Sequence, residues 1–136
     1  MKLKKLIIPA AMCMILAGGV IPSFANNYGD TTFKYSFGNF MGARYTEGRR
    51  KMDASSSYMD CYSTGNTYVA EVVANLGDGE YANCKSPHYV FYSGSVKKMA
   101  NYVHEKGYRN AAIKAWPSLH IGSKFSANGV WSPDSI

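Results

Sequence analysis

The sequence predicts a mainly β domain: a small sandwich of about six strands with one short helix (about 95–106), preceded by a cleaved signal peptide. Three observations carry this expectation. The first 25 residues have the layout of an export leader. The rest holds only two Leu but eleven Tyr, a composition of small sandwiches and barrels rather than of Leu-built helical bundles. Several short runs alternate apolar and polar residues, the period of a half-buried strand.

In the leader, Lys2, Lys4 and Lys5 precede an apolar run over 6–21, and Ser23-Phe24-Ala25 places small residues at −3 and −1. The run contains Pro9 and Gly18-Gly19 and falls short of the roughly 20 residues a membrane span needs. Cys13 lies inside it, but Met12 stands where a lipoprotein signal wants a small residue. Cleavage after Ala25 is expected to leave 26–136, a single β-rich secreted domain of 111 residues. It removes three of the fifteen Lys and Arg and none of the nine acids, leaving a net charge of +3. That charge suits solubility and points only weakly to a polyanion. No nucleic-acid partner and no stable membrane span after processing are expected, and the oligomeric state is left open.

Loss of Cys13 leaves Cys61 and Cys84. An even count in an exported chain reads as one disulfide, closing a loop worth roughly 3 kcal/mol. Two buried free thiols are the alternative. No C-x-x-C spacing suggests redox activity.

Along the chain, 26–32 is a polar arm. Residues 33–37 alternate aromatic and polar side chains, a strand with one aromatic face. Residues 38–51 carry three Gly together with Arg44, Arg49, Arg50 and Lys51, a long loop with room for a short ribbon. Strands are expected at 55–62 and 67–75, joined as a hairpin through Thr64-Gly65-Asn66. Gly77-Asp78-Gly79 ends the second in a turn. Ser86-Pro87 breaks the chain before a short aromatic strand at 88–92. Val96, Met99, Ala100 and Val103 lie at i, i+3, i+4 and i+7, with Ser95 as N-cap and Gly107 at C′, the pattern of a helix. Residues 108–116 return to a strand centred on Ile113 and stopped by Pro117. A further strand is expected at 121–125, and Asn128-Gly129 is expected to turn the chain into Val130-Trp131.

Three runs carry a family resemblance. They are Arg49-Arg50-Lys51-Met52-Asp53-Ala54-Ser55-Ser56-Ser57-Tyr58-Met59, Asn101-Tyr102-Val103-His104-Glu105-Lys106-Gly107-Tyr108, and the terminus Gly129-Val130-Trp131-Ser132-Pro133-Asp134-Ser135. Together they resemble small exported proteins of Gram-positive bacteria with a domain of unknown function ending in G-x-W-S-P-D-S. The resemblance implies secretion and a single domain, and it carries over no catalytic or binding residue.

Enzyme signatures are thin. His104-Glu105 lacks the second His that a zinc helix needs four positions on, where Tyr108 stands. No pair among His88, His104 and His120 has ligand spacing. There is no G-x-S-x-G elbow, phosphate loop or dinucleotide fingerprint. No catalytic residue, metal or cofactor is expected.

Two features suit binding. Arg44, Arg49, Arg50 and Lys51 are a basic stretch whose guanidinium forks match phosphate and carboxylate. Outside a Gram-positive cell that chemistry meets anionic wall polymers and lipid headgroups. The plainer alternative is a solvated loop paired with Glu47, Asp53 or Asp60. The eighteen aromatics after residue 25 suit sugars or a surface protein where exposed, and core filling where not. Trp131 reads as a core plug held by Ser132-Pro133-Asp134, with a binding role as its alternative. The expected function is non-enzymatic binding at the bacterial cell surface or envelope. A secreted bacteriocin-like antagonist is the second expectation.

Overall fold

A computed structural model describes residues 26–38, 42–118 and 124–136. The expected signal peptide, 1–25, lies outside the described residues, as do His120 and the first three positions of the strand expected at 121–125. Among the described residues no helix is long and apolar enough to cross a membrane.

Ten strands form two antiparallel sheets: β1 (Thr31–Phe37), β2 (Arg44–Tyr45), β3 (Arg49–Arg50), β4 (Ser57–Thr64), β5 (Tyr68–Gly77), β6 (Glu80–Asn83), β7 (Tyr89–Phe91), β8 (Val96–Met99), β9 (Asn110–Pro117) and β10 (Phe125–Ser132). One sheet runs β1-β10-β4-β8. The other runs β2-β9-β5-β6, with β3 also on β9 and β7 also on β5. The period-two pattern decides which side chains meet. Phe33, Tyr35 and Phe37 of β1 and Met59 and Cys61 of β4 face Tyr68, Ala70, Val72 and Ala74 of β5 and Ala111, Ile113 and Ala115 of β9 in one core.

Aromatics take the place of Leu in that core. Phe33 and Tyr35 rings lie 5.0 Å apart, Tyr35 and Tyr68 meet edge-on at 5.9 Å, and Phe37 lies 4.8 Å from Phe125. Facing them are the small side chains Ala70, Ala74, Ala111 and Ala115, so large and small residues interlock across the sandwich. The Tyr35 hydroxyl donates to Ile113 O at 3.3 Å. On the outer side of the larger sheet, Tyr45 and Tyr81 reach in from its two edges and stack at 3.8 Å. This roof explains the burial of Val73 and Ala112, a facing pair outside the main core.

Four expectations are corrected. The helix at 95–106 does not form. Residues 96–99 are β8, paired with β4 from Ser57↔Met99 to Asp60↔Val96. Of the four residues on the expected helix face, Val96 and Ala100 are exposed, while Met99 and Val103 are buried. Asn101 ends the strand: its Nδ2 donates to Met99 O and Ser57 Oγ, and its Oδ1 accepts from Val103 N. Only one helix-like turn follows, with Lys106 N donating to Tyr102 O. The β4 ladder and the Asn101 side chain together outweigh a four-residue apolar stripe, because an isolated short helix is marginal.

The expected hairpin of the second and third runs is also absent. β4 and β5 belong to opposite sheets, and the short link at 65–67 arches over the core. Each strand carries its own buried face and pairs with distant segments on both edges. Asn128-Gly129 runs on within β10 rather than turning; opposite it β4 bulges, Tyr62 being the extra residue between Ser63, which faces Asn128, and Cys61, which faces Gly129. A Cβ on Gly129 would stand 1.9 Å from Asp60 O, so only glycine permits this approach of backbones. Finally the strands number ten among the described residues, because β2, β3, β6 and β8 are too short to show a period. Gly77-Asp78-Gly79 does close a hairpin, β5 to β6, all three residues having positive φ.

Candidate functional site

The basic stretch divides sharply in the structure. Arg44 Nε donates to Ser36 O at 2.8 Å on the outer edge of β1, which has no strand partner among the described residues. Arg49 Nη1 donates to Thr31 Oγ1 and Trp131 O, and Nη2 donates to Asn27 Oδ1. Its guanidinium also lies 5.6 Å from the Trp131 ring centre. Burial draws Arg49 below its ordinary value, while Glu47, Asp30 and Asp134 favour its charge. Trp131 is fully buried in the core.

Lys51 goes inward. Its ammonium donates to Asp53 O at 2.7 Å, Ser55 O at 2.6 Å and Asp134 Oδ1 at 2.5 Å. Three donors thus meet three acceptors. Asp134 Oδ2 accepts from Asn27 N and Met52 N. Ser57 Oγ donates to Pro133 O, and Ser132 Oγ donates to Asp134 O. The first and third runs of the sequence resemblance are therefore one buried polar clamp between the end of β3 and the C-terminus. Both sides of that clamp are used up by the fold.

Arg50 is left. It alternates with Arg49 along β3, so as Arg49 turns to Trp131, Arg50 turns out and is exposed. A backbone hydrogen bond from Lys51 N to Arg109 O, 2.8 Å, brings a second exposed arginine beside it. The turn before β9 supplies His104, held by Gly107 N donating to His104 O. Arg50, Lys51, Met52, His104, Gly107, Tyr108 and Arg109 line a polar cleft of about 240 Å³. Among the described residues no carboxylate lines it. Two guanidiniums and an imidazole can hold a phosphate or carboxylate there. Arg109 and His104 escaped the sequence reading of the basic stretch: they lie more than fifty residues on, and only the β3–β9 pairing brings them together.

The cysteines are placed apart. Both are free and buried. The Cys61 thiol lies against Tyr68, and Cys84 against Ala74. Tyr68 and Ala74 are six residues apart on β5, roughly 20 Å along a strand, whereas a bridge needs Cα atoms within about 7 Å. The expected Cys61–Cys84 disulfide is corrected accordingly. Burial pushes both thiols above their ordinary value, and it pushes the Tyr68 hydroxyl up as well.

In class this is a two-sheet antiparallel sandwich with an internal ion pair and one carboxylate-free basic cleft. A family model described as a protein of unknown function, DUF2712, matches residues 21–135, and the chain belongs to that family. The chain matches no curated protein and no solved structure.

Proposed function

We propose that this is an exported, non-enzymatic protein that binds at the bacterial envelope, taking an anionic wall polymer in the Arg50–His104–Arg109 cleft. The observation that carries this is the division of the basic residues. Arg44, Arg49 and Lys51 are hydrogen-bonded to the fold, while Arg50 and Arg109 stand exposed around a cleft lined by no carboxylate among the described residues. Fork-shaped donors in that setting suit repeated phosphates, and the attraction is salt-sensitive.

The test is retention on purified cell walls across a salt series. The double variant Arg50→Ser/Arg109→Ser should elute at lower salt, with its melting curve unchanged. Retention equal to the wild type would overturn the cleft as the binding site. Growth inhibition of other species without wall retention would move the function to a bacteriocin-like antagonist.

A further inference from the structure

The outer face of the six-stranded sheet carries a second cluster, built around a buried carboxylate. Register sets it out: Glu71 of β5 faces Lys114 of β9, and Val69 faces Trp116. His88, just before β7, lies on the other side of Glu71. Glu71 is only 5% exposed. Its Oε2 lies 3.9 Å from Lys114 Nζ, and its Oε1 lies 3.8 Å from His88 Nε2. Both contacts are too long for hydrogen bonds. Among the described residues Oε1 has no hydrogen-bond partner, an uncommon state for a buried polar atom.

The surroundings say what donor would complete it. The half-buried indole of Trp116 lies 5.0 Å from the His88 ring, and Lys114 Nζ lies 5.5 Å from the indole centre. The apolar side of the cluster is thus an aromatic plane, next to Val90, which is half exposed. Glu71 and Lys114 are of opposite sign, so the pair attracts neither an anion nor a cation strongly. An uncharged ring bearing hydroxyls meets each demand. A hydroxyl donates to Glu71 Oε1, further hydroxyl oxygens accept from Lys114 and His88, and the C–H face lies on the indole. The His88 side chain is 62% exposed, so the imidazole has room to shift within the cluster, admitting a hydroxyl at Oε1 while still donating to the sugar.

We propose that Glu71, His88, Lys114 and Trp116 form a binding site for a neutral pyranose saccharide. It stands apart from the basic cleft. Arg50 pairs with Asn110, four residues before Lys114 on β9, roughly 13 Å away along the strand.

Tryptophan emission tests it directly, because Trp131 is fully buried and Trp116 is the indole a ligand can reach. The probes are cellotetraose and N-acetylchitotetraose, both uncharged, with binding measured in parallel by calorimetry. Wild type should give a saturable emission change with at least one of them. Glu71→Gln should bind roughly fivefold more weakly, the effect of weakening one hydrogen bond. Trp116→Phe, a folded control by circular dichroism, should lose calorimetric binding as well as the signal. Arg50→Ser/Arg109→Ser should bind the saccharide like wild type, so failure of the cleft and of this site read out separately. No saturable response to either probe at millimolar concentration would overturn the site. So would undiminished calorimetric binding by Glu71→Gln or by Trp116→Phe, or loss of saccharide binding in the arginine variant.

Discussion

Lys51 Nζ lies 2.5 Å from Asp134 Oδ1, with both side chains fully shielded from solvent. The pair ties residues 83 positions apart and anchors the C-terminus to the end of β3. Breaking one side of a buried pair leaves the other charge without compensation, at about 3–5 kcal/mol. Asp134→Ala should lose that much stability in chemical denaturation. Lys51→Met/Asp134→Ala should lose less than the sum of its single variants, since no orphan charge remains. Strict additivity would show that the two groups do not interact.

Asp53 gives a pH dependence. Burial opposes its ionisation, but hydrogen bonds from Ser55 and Asn26 and the charge of Lys51 outweigh it and hold the carboxyl below its ordinary value. The unfolded chain then binds more protons on acidification. The stabilisation is present above about pH 4 and is lost as pH falls through the lower folded value. Unfolding free energy measured across this range should fall with acid. The fall should be shallower in Asp53→Asn; identical slopes would remove Asp53 from the acid response.

Gly129 is expected to tolerate no side chain. Its Cβ would meet Asp60 O at 1.9 Å and Phe33 at 2.9 Å. Gly129→Ala should cost about 2 kcal/mol or more and lower the melting temperature by roughly 8 °C or more. Gly29→Ala, with nothing within 4 Å, is the control and should melt like wild type. A Gly129→Ala protein as stable as the control would contradict the bulge geometry.

The thiols should stay reduced and inert. Intact mass under non-reducing conditions should show both Cys61 and Cys84 as thiols, with no change of melting temperature on adding reductant. A thiol reagent should label them slowly in the folded protein and rapidly after denaturation, because both are buried with their thiol forms favoured. A mass two hydrogens lighter that responds to reductant would establish the bridge after all.

The two proposed sites were differently legible. Arg50 belonged to a visible basic stretch, but nothing in that stretch distinguished it from Arg49 or Lys51. Glu71 and Lys114 sit in runs that read only as strands, and no local motif marks them. Their meeting follows from the β5–β9 register, which depends on the whole sandwich.

Composition and period alone determined the class: aromatic-rich, Leu-poor alternation makes strands whose buried faces must cover each other. Trp131 read as a core plug with a binding role as its alternative, and the structure buries it fully. Tertiary structure alone decided that β4 and β5 part into opposite sheets, that 96–99 extends rather than coils, and which cation turns inward. Local patterns record what each segment would bury; the partner that satisfies a charge or a backbone edge comes from far along the chain, and only packing selects it.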